Sequence, residues 1–373
     1  MKNIICVPIE PLSERYTESW YRNFPTVFQK DGWNVSVIDG EPILDNDIKT
    51  GTFLDIGSTC HYKATQLQKI AKMFSNGEIS DGSIFFFFDL EFWGIEQVRL
   101  LADMYGVSVK LTAFLHAASY TIGDAFEIAS PYQRYTELGW IAAMDKVYVG
   151  SEYHKKAIID RRLKPNNAEF LADKIVVTKN PLFIDDYKFK GLLKQKRMLL
   201  TNRLDKEKNP VQTVKLFLRL KQEFPDWEFI ITSSRKRFRT NMPYGDEDFI
   251  SCAIDMGKIE LKMNLTKEEY HEELEQAAIV VSHSPEENYG ICIAESLIYK
   301  CLPLLKDCAS HPEFVVNSIR PESFLFVNEE KAYYKAKKLM YAFETKGCNI
   351  PIFDPNEGLT NILDNLNQQA KVF

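Results

Sequence analysis

Residues Val280 to Pro303 read VVSHSPEENYGICIAESLIYKCLP. An apolar β-branched run stops at Ser282, a loop of small and polar residues follows, and apolar residues return at helical spacing after the Tyr289-Gly290 turn. This is a strand, a loop and a helix. The amides of Gly290 and Ile291 open that helix unpaired, at its positive dipole end, and so suit an anion such as phosphate. Glu287 and Glu295 stand eight positions apart around the turn. Carboxylates only accept hydrogen bonds, which fits sugar hydroxyls: Glu287 for a hexose or pentose, Glu295 for a ribose. Taken alone, the stretch also permits Glu287 as a helix cap and Glu295 as a water-facing side chain.

On either side of this stretch, short apolar runs alternate with helical-period segments, the pattern of parallel βαβ units. Strands are expected at 3–8, 34–39, 83–88, 108–115, 146–150 and 174–178, and again at 197–202, 228–232, 259–263, 278–282, 302–306 and 323–327. Between the two sets, NPLFIDDYKFK (Asn180 to Lys190) has neither period and reads as a boundary. We therefore expect an α/β chain with a first domain at 1–186, a second at 187–350, and a helix within 351–373 that crosses back to the first. Two doubly wound Rossmann-like domains facing a cleft would bring their carboxyl sheet edges together. The chain has 373 residues, which suits two domains.

A net charge of −6 argues against a uniformly basic nucleic-acid binder. Seven scattered cysteines without a Cys-x-x-Cys pair indicate neither a disulfide framework nor a zinc site, and no metal-ligand set is evident. No apolar run approaches the roughly 18 residues of a membrane span, and no signal peptide is evident, so a cytoplasmic location is expected. No Gly-x-Gly-x-x-Gly follows an expected strand, which disfavours a dinucleotide-dependent dehydrogenase.

MLLTNRLDKEKNP, from Met198 to Pro210, leaves a strand and enters a helix, with Asn209 expected as N-cap and Pro210 as first residue. Arg203 and Lys208 then lie at a sheet edge, where a diphosphate leaving group needs cations. With the Glu-x7-Glu stretch, this loop resembles retaining GT-B glycosyltransferases of the family 4 type over roughly residues 195–310. The resemblance implies Arg203, Lys208, Glu287 and His116 as catalytic residues. It implies Glu295, Tyr289, Gly290, Ile291, Asn202 and Ser284 on the donor. It further implies front-face displacement, in which the leaving diphosphate takes the acceptor proton and no protein nucleophile acts. A nucleotide-sugar, UDP-sugar foremost, would be the co-substrate; no cofactor and no divalent cation is indicated.

The first domain matches less fully. His116 ends a strand, and Ser151 opens the helix of Glu152 to Arg162, both in positions that resemble the family's. The family's glycine pair after the first strand is replaced by IEPLSERYTESW, Ile9 to Trp20. Acceptor candidates are Glu10, Ser13, Arg15 and Tyr16 from this loop and Asp89 from DLEFWG at Asp89 to Gly94. Arg235 and Arg237, from TSSRKRFR at Thr232 to Arg239, complete the set. Cations with an interleaved aromatic suit a phosphate backbone. With the loose likeness of the first domain to glycosyltransferases acting on tRNA or viral DNA, this makes a hydroxylated nucleobase of DNA or tRNA the leading acceptor. A saccharide or lipid-linked saccharide is the alternative, and a non-catalytic sugar-nucleotide-binding protein the second.

Overall fold

Strands apolar on both faces, such as Ser83–Phe87 (SIFFF), are stable only in a sheet covered on both sides. The computed structural model, which describes residues 2–12, 16–43, 55–122, 127, 131–233, 245–345 and 351–372, places them so. The chain divides into two compact units, Met1–Phe183 with Asn356–Phe373, and Ile184–Pro355.

In the first unit, β1 (Asn3–Val7), β2 (Asn34–Val37), β3 (Ser83–Phe87), β4 (Val109–Phe114), β5 (Lys146–Val149) and β6 (Ile175–Val177) form one parallel sheet in the order β2-β1-β3-β4-β5-β6. The helices are α1 (Tyr16–Lys30), α2 (Ile56–Ser75), α3 (Ile95–Tyr105), α4 (Gln133–Ala143) and α5 (Glu152–Ile158). Alternation along β3 divides the core. Phe85 and Phe87 pack with Ile70, Val98 and Trp140 on one face. Phe86 and Phe88 pack with Trp20, Phe24, Phe28 and Phe114 on the other.

The second unit repeats the plan with β7 (Gln195–Leu200), β8 (Glu228–Thr232), β9 (Glu260–Lys262), β10 (Ala277–Ser282), β11 (Leu302–Lys306) and β12 (Leu325–Phe326), in the order β12-β11-β10-β7-β8-β9. Its helices are α6 (Pro210–Glu223), α7 (Asp246–Asp255), α8 (Lys267–Gln276), α9 (Ile291–Ile298) and α10 (Glu329–Glu344). The Glu275 carboxylate, buried on α8, accepts the amides of Lys190, Gly191 and Leu192 at 2.8 to 3.1 Å and so fixes the segment that leads into β7.

All twelve expected strands form, each within two residues of its expected ends. The expected helix at 152–162 is instead α5 followed by a wider π turn, Ile159–Leu163. That turn brings Arg162 onto Glu137 at 2.7 Å in a buried ion pair.

The C-terminal helix α11 (Glu357–Ala370) belongs to the first unit. Ile362 and Leu366 enter its aromatic core. Gln369 bonds Thr112 and Tyr148 at 3.1 Å each, and Asn365 accepts from the Tyr148 hydroxyl at 2.7 Å. Gly358 lies so close to the Asn180-Pro181 backbone that a Cβ would stand 2.6 Å from the Asn180 carbonyl carbon and 2.9 Å from the Pro181 nitrogen. Gly358→Ala is therefore expected to destabilise by about 1–3 kcal/mol, as overpacking does. An unchanged urea midpoint would contradict this packing.

Candidate functional site

In open α/β sheets the crevice lies where strand order reverses, and in the second unit that point separates β7 from β10. The loops leaving these two strands are neighbours by topology. They carry the residues singled out by the sequence.

The loop after β7 tightens into a 3-10 turn, Lys206–Lys208. Asn209 precedes α6 as expected, but its backbone is left-handed (φ +53°) and its side chain does not cap the helix. Asparagine tolerates that conformation, and the Asn209 amide instead closes the turn onto the Lys206 carbonyl at 3.1 Å. The turn delivers Lys208 to Glu287, with Nζ 2.8 Å from Oε2. The two side chains are only 12% and 15% exposed. Arg203 is 40% exposed and pairs within its own loop, 3.2 Å from both Asp205 and Glu207.

After β10, Ser284 donates its hydroxyl to the Glu286 carbonyl at 2.8 Å, and so shapes the loop. The Tyr289 ring packs on Phe314, with centroids 5.2 Å apart. These two expected donor contacts therefore support the turn with their side chains. Gly290 takes φ +87°, and a Cβ there would meet Glu287 Cγ at 3.1 Å and Phe314 at 3.4 Å. Only glycine fits. α9 starts at Ile291; the Gly290 carbonyl takes the amides of Ile293 and Ala294 at 3.0 and 3.1 Å, while those of Gly290, Ile291 and Cys292 come before the first intrahelical bond. Asn202 donates to Cys292 Sγ at 3.4 Å, tying the β7 loop to that first turn, and its buried Oδ1 has no hydrogen-bond partner among the described residues.

Burial acts to raise the Glu287 carboxyl, but the Lys208 charge and hydrogen bond, with His311 and Arg203, hold it below the ordinary range. Burial pushes Glu295 up to about 7, against Lys267 and the hydroxyls of Tyr270 and Tyr187, the latter 3.5 Å away. Glu287 is thus an ion-pair partner and no helix cap, and Glu295 lies among tyrosines. Tyr187, Lys267 and Tyr270 escaped the sequence reading because they flank the motif in space only.

In the first unit the order reverses between β1 and β3. Glu10, past β1, accepts from Ser58 at 3.3 Å. Asp89, past β3, is paired with Lys63 at 3.1 Å. Lys63, 4% exposed on α2, also donates to the Glu91 carbonyl and lies 4.9 Å over the Trp93 ring. Nothing in its local sequence marked it. His116 Nε2 is 2.9 Å from the Phe88 carbonyl, which can only accept, so Nε2 carries the proton. Its ring is walled by Trp20, Phe114 and Tyr16 at 4.8 to 5.0 Å, and burial lowers its pKa. It is a neutral, oriented imidazole. Trp20, expected at a loop edge, is buried within α1. Ser151 caps α5, accepting the His154 amide at 3.0 Å. Ser13, Arg15, Arg235 and Arg237 lie outside the described residues.

The depressed Glu287 carboxyl contributes stability above its ordinary value of 4.5, lost as pH falls through the lower folded value. Lys208→Met removes the largest influence that lowers that carboxyl, so burial, opposed now by His311 and Arg203, raises it. The substitution should cost about 3 kcal/mol at pH 7 and less near pH 4, where Glu287 takes up a proton. Urea unfolding at both pH values measures this, and equal losses would refute the pairing.

No protein-family profile and no curated protein matches the sequence. Solved structures do match. The catalytic domain of starch synthase IV from Arabidopsis thaliana, solved with ADP and acarbose, gives a TM-score of 0.63 at 11% identity, over 100% of this chain and 99% of that one. HepE from Anabaena, solved with UDP and glucose, gives 0.57 at 14% identity, over 100% and 99%. TarM gives 0.52 at 15% identity over 82% of this chain and 55% of its own, so the chain spans just over half the length of TarM. At such identities the likeness is one of fold, and that fold is the one of GT-B glycosyltransferases, with two Rossmann-like units.

Proposed function

We propose that the protein is a retaining glycosyltransferase that moves a sugar from a nucleoside diphosphate sugar, UDP-sugar foremost, to an acceptor hydroxyl. The Lys208–Glu287 pair beside the Gly290 turn is the observation that carries this reading. It supplies a cation, helix-terminal amides and an ionised carboxylate within one turn. The sugar–diphosphate bond breaks as the acceptor oxygen attacks the same face of the anomeric carbon, and the acceptor proton passes to a diphosphate oxygen. Arg203, Lys208 and the Gly290 and Ile291 amides stabilise the charge that gathers there, a role commonly worth several kcal/mol. Glu287 orients the sugar and Glu295 the ribose.

The first-unit edge takes the acceptor, with Asp89, Glu10 and the neutral His116 ring receiving hydroxyls. Carboxylates with Trp93 beside them suit a hydroxyl-rich saccharide. The UDP and glucose found with HepE, and the ADP and acarbose found with starch synthase IV, support the same class. The nucleobase acceptor rested on Arg235 to Arg239, outside the described residues, and on a loose likeness of the first domain, and gains no support.

Incubation with UDP-, GDP- and ADP-sugars and oligosaccharides, followed by mass spectrometry, should show one hexose or pentose added with release of the nucleoside diphosphate. Label appearing only on nucleosides from DNA or tRNA would move the acceptor. No consumption of any donor would overturn the activity. Glu295→Ala should weaken nucleoside diphosphate binding by about 1–3 kcal/mol, the range for hydrogen bonds to charged groups. Because Glu295 accepts best when ionised and titrates at about 7, wild-type affinity should rise from pH 6 to pH 8. Calorimetry showing the same pH slope in Glu295→Ala would remove it from the site.

A further inference from the structure

After β11 the chain passes a left-handed residue, Ala309 (φ +53°), and enters the short 3-10 turn His311–Phe314. This segment is laced to the turn that carries Glu287. The Ser310 amide donates to the Glu287 carbonyl at 3.3 Å, the Ser310 hydroxyl to the Tyr289 carbonyl at 3.0 Å, and Cys308 Sγ to the Ser284 carbonyl at 3.5 Å. His311 is fully buried among them.

Its tautomer follows from one contact. Nδ1 lies 2.9 Å from the Lys306 carbonyl, which can only accept, so Nδ1 carries the proton. Nε2 then presents a lone pair, and it is buried with no hydrogen-bond partner among the described residues. Burial holds the ring neutral; Glu287 opposes this, while Lys208 and His283 add to it. A buried acceptor left without a donor costs free energy, which an arriving donor recovers. The nearby Lys208 ammonium is already engaged by Glu287.

We propose that His311 Nε2 accepts a hydrogen bond from a hydroxyl of the transferred sugar, beside the one that Glu287 holds, and so makes His311 a specificity-determining residue of the donor site. This rests on the nucleotide-sugar reading of that site. Glu287 and His311 are both acceptors, so together they select a sugar with two neighbouring hydroxyls and reject one lacking either.

Two substitutions separate this role from a structural one. His311→Asn places an amide N–H near the position of Nδ1, retaining the Lys306 bond, but has no acceptor where Nε2 stood. His311→Gln reaches to the Nε2 position and restores one. Calorimetry with UDP, GDP and ADP, and with their glucose conjugates, reads both. In the nucleotide series that the wild type binds, His311→Asn should weaken the glucose conjugate about three- to tenfold, the scale of one neutral hydrogen bond, and leave the diphosphate unchanged. His311→Gln should recover most of the loss. Equal weakening of diphosphate and conjugate, or no weakening of either, would overturn the assignment. A wild type that binds none of these nucleotides would overturn the reading of the site, and this proposal with it.

Discussion

The Lys208–Glu287 ion pair is the interaction on which the second unit's edge depends. Each partner comes from a different loop, one leaving β7 and the other leaving β10. Both side chains are mostly out of water, so neither charge is tolerable without the other. The surrounding geometry serves that meeting. The left-handed Asn209 turns Lys208 inward, Gly290 admits the Glu287 stem, and Ser310 ties the next loop to the Glu287 carbonyl. An ammonium, helix-terminal amides and an ionised carboxylate then stand together, the kind of preorganisation that the proposed transfer from a nucleoside diphosphate sugar calls for.

The first unit solves a similar problem with different residues. Buried Lys63 neutralises Asp89 and takes the Glu91 carbonyl, so the carboxylate edge past β3 is held in place. His116 is aligned by the Phe88 carbonyl and a wall of aromatic rings. A neutral imidazole held this way can orient a hydroxyl without gaining charge near pH 7. The aromatic core beneath it also receives α11, so the chain's last helix helps to support this edge.

Much of this was legible in the sequence because its signals are local. β3 reads as a run of apolar residues, and the Tyr289-Gly290 turn announces the start of a helix. The side chains that complete each site were not legible. Lys63 sits in an ordinary amphipathic helix, 26 positions from Asp89. Tyr187 reaches Glu295 across 108 positions. His311 looked like any histidine after a strand until the Lys306 carbonyl fixed its tautomer. Some local rules misled: Asn209 has the residue type of a capping side chain but serves through its backbone, and Trp20 lies in a core where a loop edge was expected. In each case tertiary packing decided between two readings that the local sequence permitted equally.

Everything proposed for the second unit turns on whether the segment from Glu287 to Cys292 binds the diphosphate of a nucleotide. A crystal structure of the protein with UDP, GDP or ADP tests it most directly. Phosphate oxygens should lie on the Gly290 and Ile291 amides, within hydrogen-bonding reach of Lys208 and Arg203, and ribose hydroxyls on Glu295. A nucleotide bound elsewhere, with this turn empty, would contradict it.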